Sequence, residues 1–384
     1  METIYSFVAP PGGTYPAAGL VISPSGVIYG TASAGGATVG CGYFNCGAVY
    51  ELTRPASPGV AWTETTLYSF KNSGDGAQPS TRLASGAGGT LYGWAGGAAF
   101  ELTPPASPGG VWAETTIYIF KGPPSDGGTP VGGLALGGNG SLYGATGGGG
   151  TYNQGTVFEL APPSSPGAAW TLTVIYSFRG DGDGIYPSAG VVVGHNGTIY
   201  GTTNQGGSLG LGTVFALEFV GGAWEEQVLA SLGGDLFSPD GLALGHNAVL
   251  YGQTDQCSIF KAAPPGAAGG AWAVQSLYGG AGGTYCRQAS VAVSGTGAIY
   301  WTSSTGGTST ACGVSTGCGT LDELMPPTSP GGKWKFVVLH NFTGQDGDGY
   351  QPNGGLVVTK SGDVYGTTYY GGRNFFGTVF KFTP

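Results

Sequence analysis

Several charged and aromatic side chains stand where related segments of this chain carry other residue types, and these are the candidates for chemistry. Asp322 occupies a position held by Phe in five related segments and by Tyr in one. A carboxylate at such a normally buried position must be paired, solvated or shifted in pKa. It could act as a general acid, or it could form a structural salt bridge with Arg287. The candidates for catalysis are Asp255, Asp322 and Arg287.

A second group suits ligand binding. Arg82 replaces the glycine that opens an apolar strand in other segments, and its guanidinium could donate two hydrogen bonds to an anion. Trp94 stands where other segments have Thr or Ala, and Trp301 replaces the glycine of a repeated LYG phrase. Exposed indoles stack on sugar faces, although Trp is also an ordinary packing residue. The predicted binding residues are Arg82, Trp94, Gln253, Arg287 and Trp301.

Aspartate-rich turns raise the question of a bound cation. The pattern DxDG occurs at residues 181–184 and 346–349 and resembles part of a calcium loop, which needs about six to eight oxygen ligands. The recurrence of Asp-Gly across segments favours Asx-type turns instead. We therefore expect no metal and no other cofactor. Calcium held by Asp181 and Asp183, or by Asp346 and Asp348, is the alternative.

The six cysteines fall in loops between repeated phrases or at the edge of a repeated strand. We predict that they form three disulfides, which implies an oxidising compartment. Zinc binding is one alternative, since CxxxxC and CxxxxxC resemble ligand spacings, and free thiols in a cytosolic protein are another. The cysteines are Cys41, Cys46, Cys257, Cys286, Cys312 and Cys318.

One phrase recurs seven times and predicts the elements that must position these residues. It begins with LYG, IYG, IYW or VYG and continues with a GTVFEL-like run. Strand-like self-similarity at roughly 50–60 residues indicates a propeller, with one blade per repeat. The LYG phrases start at Ile28, Leu91, Leu142, Ile199, Leu250, Ile299 and Val364.

Four antiparallel strands can be assigned to each repeat. Strand a is a continuous apolar run, strand b contains LYG, strand c contains GTVFEL, and strand d contains LYSF. The chain opens on a lone strand d and ends on a strand c, so we expect the N-terminal strand to close the last blade. We predict an all-β fold, a single seven-bladed β-propeller spanning residues 1–384, with strand d starting near 4, 67, 117, 175, 229, 277 and 339.

Composition narrows the class of protein. The 80 glycines and 25 prolines sit at fixed offsets within the repeats, so they indicate turns in a β-rich fold. A net charge of −9 without a basic stripe argues against nucleic acid, and no apolar run is long enough to span a membrane. Neither a signal peptide nor an anchor is expected within residues 1–384.

The composite motif LYSF…DG…P…GL…LYGTT…GG…GTVFEL resembles the GloVer-type tandem repeats of bacterial "choice-of-anchor" proteins. The resemblance extends over essentially the whole chain. It implies an exported bacterial protein that is extracellular or on the cell surface. It implies no established activity, so no catalytic residue is carried over from the family.

The sequence favours a secreted or cell-surface binding module, with carbohydrate as the expected ligand. The d–a and b–c loops emerge on one face, and variable loops on a rigid scaffold are where function concentrates. Partners would be a polysaccharide or another surface ligand, and we expect a monomer. One alternative is an extracellular polysaccharide hydrolase or lyase that uses the same face, since fold does not choose between them. A purely structural surface protein is the second alternative.

Overall fold

The computed structural model is all β and consists of seven blades of four antiparallel strands, arranged as a β-propeller. The fold class predicted from the repeats is therefore confirmed. The structure describes residues 1–384 except 38–40, 43–44, 58–60, 108, 129, 166, 268–269, 281–285, 287–290 and 330. The chain divides into two compact units, which are described in turn.

Unit 1 comprises Met1–Ile119 and Gly283–Pro384 and holds blades 1, 2, 6 and 7. Blade 1 contains β2 (Gly13–Pro16), β3 (Val21–Ile22), β4 (Ile28–Gly35), β5 (Ala48–Thr53) and β6 (Thr63–Ser69). Blade 2 contains β7 (Ala84–Ser85), β8 (Leu91–Ala95), β9 (Ala98–Thr103) and β10 (Ala113–Ile119). Blade 6 contains β24 (Ala292–Val293), β25 (Ile299–Ser303), β26 (Thr320–Met325) and β27 (Lys335–Asn341). Blade 7 contains β28 (Gly349–Pro352), β29 (Val357–Val358), β30 (Val364–Gly371), β31 (Thr378–Phe382) and β1 (Glu2–Ser6).

Unit 2 comprises Phe120–Gly282 and holds blades 3, 4 and 5. Blade 3 contains β11 (Pro130–Leu136), β12 (Leu142–Thr146), β13 (Thr156–Ala161) and β14 (Thr171–Ser177). Blade 4 contains β15 (Ile185–Pro187), β16 (Val192–Val193), β17 (Ile199–Gln205), β18 (Thr213–Val220) and β19 (Ala223–Ser231). Blade 5 contains β20 (Pro239–Leu244), β21 (Leu250–Thr254), β22 (Ile259–Ala263) and β23 (Ala273–Tyr278).

The ends of the chain meet in blade 7, as the sequence predicts. β1 pairs antiparallel with β31, from Glu2 opposite Lys381 to Ser6 opposite Thr378. The observed d strands begin two to six residues before their expected starts, because the residues ahead of LYSF also pair with strand c. In blades 1, 4 and 7, strand a is interrupted, and both of its pieces pair with strand b.

The LYG glycine is required by packing inside the blade. In six blades, a Cβ at this glycine would overlap the aromatic ring of the strand c residue beside it. The ring is fully buried in each case, so this one contact fills much of the blade interior. The pairs are Gly30 with Tyr50, Gly93 with Phe100, Gly144 with Phe158, Gly201 with Phe215, Gly252 with Phe260 and Gly366 with Phe380.

A second repeated contact joins each blade to the next one. The glycine that opens GTVFEL has a φ of +88° to +108° at five blades, and a Cβ there would lie 2.5–3.1 Å from Cδ of a proline in the following blade. A side chain at this glycine would collide with the proline, and its positive φ is a conformation that favours glycine. This explains why this Gly and this Pro recur together. The pairs are Gly47 with Pro79, Gly155 with Pro187, Gly212 with Pro239, Gly319 with Pro352 and Gly377 with Pro16.

Candidate functional site

The residue before each of these prolines has an unusual backbone conformation. Tyr15 has a φ of 57°, in the left-handed region, although a residue that precedes proline normally adopts an extended conformation. Its N–H donates to the carbonyl of Phe376 at 2.9 Å, and its own carbonyl accepts from the Ser33 hydroxyl at 3.0 Å. These bonds hold the Tyr15 ring on the d–a side of the junction between blades 7 and 1.

The same conformation recurs in other blades with different side chains. The equivalent residues have φ values of 48–56°. The backbone device therefore belongs to the repeat, while the side chain that it presents varies from blade to blade. These residues are Gln78, Tyr186, Ser238 and Gln351.

At the junction of blades 7 and 1, three further rings contact Tyr15, and a fourth stacks on one of them. The ring centroids of Tyr15 and Tyr369 lie 5.3 Å apart in a stacked arrangement, and Tyr370 and Phe376 approach Tyr15 edge-on at 5.6 and 5.8 Å. Tyr350 stacks on Tyr370 at 5.3 Å, across the β28–β30 register. We call Tyr15, Tyr350, Tyr369, Tyr370 and Phe376 the aromatic patch.

The patch is partly open to solvent. Each of its five rings is half-buried, in contrast to the fully buried rings inside the blades. Burial raises the pKa of the Tyr15 hydroxyl, and the neighbouring Tyr369 and Tyr350 raise it further. Burial likewise raises the pKa of the Tyr370 hydroxyl, and the neighbouring Tyr369 and Tyr15 raise it further. The hydroxyls of Tyr15 and Tyr370 therefore stay protonated, and their rings offer neutral faces with hydrogen-bonding rims.

Phe375 lies beside the patch and is a backbone outlier. Its φ is 66°, a conformation that costs a bulky residue roughly 1–3 kcal/mol. Asn45 and Asn153 occupy the same loop position in blades 1 and 3, and Asn tolerates this region well. Phe375 is 65% exposed, so packing does not explain why a phenylalanine stands at this position. A strained and exposed aromatic residue points to a role at the surface.

The sequence contains a signal for this site in blade 7, although the predicted binding residues do not include it. Tyr369-Tyr370 follows the LYGTT threonines of blade 7, where the other blades carry small or polar pairs. The double tyrosine is therefore a departure from the repeat, like those that drew attention to the tryptophans. The equivalent pairs are Ser33-Ala34, Gly147-Gly148, Asn204-Gln205 and Ser304-Thr305.

The two tryptophans predicted to bind sugar do not present a face to solvent. Trp94 and Trp301 are 6% and 1% exposed. In blade 6, Trp301 takes the place of the usual small glycine, and Asp322 takes the place of the usual large aromatic residue. The two are directly opposite each other in the β25–β26 register. The indole fills the volume that a strand c ring fills elsewhere and lies 5.8 Å from the Phe336 ring. This burial favours the packing alternative for both tryptophans, and a role in sugar binding stays a prediction.

Asp322 is enclosed in the same blade and is 3% exposed. One of its oxygens accepts from the hydroxyls of Ser303 at 3.0 Å and Thr320 at 2.6 Å. Burial raises the pKa of this carboxyl to about 6, and the two hydroxyl bonds oppose the shift. A carboxyl at this depth does not meet a polymer at the surface, so its proposed catalytic role gains no support from its placement.

The other predicted residues are placed separately. Gln253 is fully buried on β21, and neither its amide oxygen nor its amide nitrogen has a hydrogen-bond partner among the described residues. Asp255 is half-buried, and its N–H donates to the carbonyl of Ser238 at 3.1 Å. Arg287 lies outside the described residues, so its pairing with Asp322 stays a prediction. Arg82 is exposed and lies two residues before β7 of blade 2.

The disulfide prediction is confirmed. Cys41 bonds to Cys46 and Cys312 bonds to Cys318, and Cys257 and Cys286 are disulfide-bonded as well. No free thiol remains among the six, which removes the proposed zinc ligands.

The second aspartate of each DxDG pattern serves as a turn cap. Asp183 accepts from the Tyr176 hydroxyl at 2.7 Å and from the N–H groups of Arg179 and Gly180. Asp348 accepts from the N–H and hydroxyl of Thr343, and its Oδ2 lies 3.1 Å from Nε2 of His340. These contacts support the turn interpretation. In the part of the chain that the structure describes, no group of three His, Cys, Asp or Glu side chains is arranged to hold a metal.

Solved structures share the fold at low sequence identity. An extracellular domain assigned to a hybrid two-component system of B. thetaiotaomicron is 11% identical, with a TM-score of 0.55, and covers 98% of this chain. This chain spans only 39% of that protein's length. The β-propeller domain of Cps50 (Swd1) from Myceliophteria thermophila is 11% identical at a TM-score of 0.56, covering 100% of this chain and 98% of its own.

A fungal alcohol oxidase of the AA5 family, solved in complex with copper, is 13% identical at a TM-score of 0.58 and covers 98% of this chain and 75% of its own. Identities this low establish the propeller fold alone. No curated protein matches the sequence. Within the described residues, no helix has the length and apolar character needed to cross a membrane.

The sequence comparison with protein families gives a match at the level of the repeat. The family model of the Gloeobacter/Verrucomicrobia repeat matches residues 94–313, more than half of the chain. This agrees with the resemblance carried by the LYSF, LYGTT and GTVFEL phrases. The chain belongs to the Gloeobacter/Verrucomicrobia repeat family.

Proposed function

We propose that this propeller is an extracellular binding module that holds carbohydrate on the aromatic patch. The observation that carries the proposal is the gathering of five half-buried rings at one blade junction, on the d–a and b–c side. The scaffold holds these rings in place, so a ligand meets a largely preformed surface. Preorganisation of this kind lowers the entropic cost of binding.

Tyrosine suits carbohydrate for a physical reason. A sugar ring has one face of C–H groups and a rim of hydroxyls, and tyrosine pairs an apolar ring face with a hydroxyl that can donate or accept. Tyr350 and Tyr369 each stack on another ring of the patch, so the rings cover more area than one side chain offers. A surface of several rings favours a chain of sugars over a single one.

Two further features support a location outside the cell. All six cysteines are disulfide-bonded, and such bonds persist in oxidising environments such as the cell exterior. An extracellular domain is among the proteins that share the fold. Both features fit an exported module better than an intracellular one.

The test is a binding comparison between two tyrosines at the same repeat position. Wild-type protein, Tyr15→Ala and Tyr186→Ala would be tested against immobilised neutral and acidic polysaccharides by pull-down and calorimetry. Tyr186 shares the backbone conformation of Tyr15 but has no ring partner among the described residues, so it is the matched control. We expect wild type and Tyr186→Ala to bind alike, and Tyr15→Ala to bind about tenfold more weakly, since one stacking contact contributes about 1.4 kcal/mol.

Equal affinity of all three proteins for a bound polysaccharide would place its site away from the patch. Binding by none of them across the panel would contradict a carbohydrate-binding function. Reducing-end and 235 nm absorbance assays on the same samples would reveal cleavage, which a binding module does not produce.

A further inference from the structure

Arg82 occupies a position that its neighbours reserve for glycine. It lies two residues before β7 of blade 2, as Gly19 lies two residues before β3 of blade 1 and Gly355 two residues before β29 of blade 7. A Cβ on Gly19 would lie 3.0 Å from the carbonyl oxygen of Gly355 and 3.4 Å from Cδ of Arg82. The aliphatic part of Arg82 therefore lies against the backbone of blade 1 at Gly19, which also lies beside Gly355 of blade 7.

Among the residues that the structure describes, the charge of Arg82 has no counter-ion. Among the described residues, its guanidinium forms no hydrogen bond and no ion pair. The surrounding protein removes part of its hydration, and this desolvation lowers the pKa of the guanidinium. The side chain nevertheless remains accessible to solvent. A guanidinium that is partly dehydrated and still accessible to solvent is well placed to bind an anion through paired N–H groups.

The aromatic patch lies within a few residues of Gly19, the residue against which Arg82 packs. Gly19 follows Tyr15 by four residues, so their Cα atoms are at most about 14 Å apart even in a fully extended chain. An oligosaccharide stacked on the patch can span that distance.

We propose that Arg82 binds a carboxylate of an acidic polysaccharide whose neighbouring sugar rings stack on the aromatic patch. This inference rests on the proposed carbohydrate-binding function and adds the class of sugar, a uronate. The planar guanidinium matches a carboxylate through two parallel N–H···O bonds, a geometry that lysine cannot reproduce. The net charge of −9 repels acidic polymers at long range, so a local unpaired arginine is what would make such a ligand acceptable.

The experiment compares a polyuronate with its methyl ester, which has the same sugar rings and no charge. Affinities would be measured for wild type, Arg82→Gln, Arg82→Lys and the control Arg54→Gln, which removes an exposed arginine in the linker after strand c of blade 1. Wild type and Arg54→Gln should bind the polyuronate about tenfold more tightly than the ester. Arg82→Gln should bind both polymers equally, and Arg82→Lys should recover only part of the preference.

Two further measurements of the unfolding temperature do not depend on the patch, one with small anions and one without ligand. Free glucuronate and inorganic sulfate should raise the unfolding temperature of wild type and leave Arg82→Gln unchanged, with glucuronate the more effective if the site selects carboxylate. Without ligand, Arg82→Gln should unfold at the same or a higher temperature, because it removes an unpaired charge. A lower unfolding temperature would show that Arg82 has a packing role and would overturn the proposal.

The outcomes separate the two proposals. Equal binding of polyuronate and ester by wild type, unchanged in Arg82→Gln, would overturn the role of Arg82 and leave the patch as a carbohydrate site. Stabilisation by glucuronate that is lost in Arg82→Gln, without binding of either polymer, would keep the anion site and overturn the carbohydrate-binding function. A response to sulfate alone would reject the carboxylate assignment.

Discussion

Two blade junctions use the same backbone for different surfaces. At the junction of blades 7 and 1 (the first junction), the residue before the proline is Tyr15, with a φ of 57°. At the junction of blades 3 and 4 (the second junction), it is Tyr186, with a φ of 56°. Each tyrosine donates its N–H to a carbonyl of the preceding blade at 2.9 Å. The repeat thus builds one frame at both places, and only side chains distinguish them.

The side chains around the two tyrosines differ sharply. Tyr15 has the rings of Tyr369, Tyr370 and Phe376 around it, whereas the residues at the positions of Tyr369 and Tyr370 in blade 3 are Gly147 and Gly148. Tyr186 is 42% exposed. A recurring backbone device is therefore a structural necessity, and the residues added to it at one junction are where a function can be sought.

The carboxylates at the two junctions differ as well. Gly12 holds the position that Asp183 holds in blade 4, and a Cβ at Gly12 would lie 3.2 Å from Oε2 of Glu64. Glu64 therefore takes the space of the missing aspartate and accepts from the Thr66 hydroxyl at 3.0 Å. In blade 4 the equivalent Glu226 faces the charge of Asp183 and is followed two residues later by Val228 in place of a threonine.

The largest effect should come from making the first junction resemble its counterparts. Tyr369→Ser combined with Tyr370→Ala installs the pair that blade 1 carries and removes two rings from the patch. We expect carbohydrate affinity to fall about 100-fold, since two stacking contacts contribute about 2.8 kcal/mol. Calorimetric titration with the polysaccharide bound by wild type measures the change.

The control alters the same repeat positions in blade 4, as Asn204→Ser with Gln205→Ala. Its affinity should equal that of wild type. Comparable losses in both double variants would mean that the end of strand b matters for folding in any blade and that the patch has no particular role.

The next effect concerns pH and the second junction. Burial, followed by the charge of Asp183, raises the pKa of Glu226 from 4.5 to about 7. The folded protein therefore holds this proton more tightly than the unfolded chain does. The resulting stability is present below pH 4.5 and is lost as the pH rises through 7. Discounted for solvent screening, the loss should be about 1–2 kcal/mol.

Glu226→Gln should remove this decline of the unfolding free energy between pH 4.5 and 8, measured by urea denaturation. Glu225→Gln, which alters the exposed neighbour on β19, is the control and should keep the wild-type slope. If the two variants have the same slope, the carboxyl of Glu226 does not titrate in this range.

A gain of binding at the second junction would sharpen the comparison further. A Cβ at Gly148 meets no atom within 4 Å, so Gly148→Tyr should fit and place a ring at the position of Tyr370, near Tyr186. In the Tyr15→Ala background we expect affinity to recover about threefold, equivalent to about 0.7 kcal/mol. Gly138→Tyr adds a ring at an equally open position in the a–b hairpin of blade 3 and should recover nothing.

The sequence predicted the fold because the repeat encodes its contacts in recurring residue types. The glycine of LYG and the aromatic residue of GTVFEL recur because they touch inside each blade, and the later glycine recurs with the proline of the next blade. Seven copies at fixed offsets made the strands and the closure by β1 predictable from spacing alone.

The site was less predictable because a departure from the repeat has two possible causes. Trp301 and Asp322 depart together and are paired in register, so each compensates the other's volume, and only the pairing reveals this. The left-handed conformation of Tyr15 was also hidden, because the proline that follows it predicts an extended residue. Solvent exposure, which separates Tyr370 from Trp301, depends on how neighbouring blades pack.

The smallest expected effect comes from a variant that adds to blade 4 a threonine–glutamate hydrogen bond found in blades 1 and 2. Thr66 donates to Glu64 and Thr116 donates to Glu114, each at 3.0 Å and two residues along the strand. Val228→Thr places a hydroxyl at that spacing from Glu226, whose Oε1 is buried and has no hydrogen-bond partner among the described residues. Because a charged acceptor forms the stronger bond, we expect about 0.5 kcal/mol of stabilisation at pH 8 and less at pH 4.5. Val228→Ala measures the loss of the methyl groups. An equal change at both pH values would show that the new hydroxyl bonds elsewhere, and the difference between the two junctions would then lie in Asp183 alone.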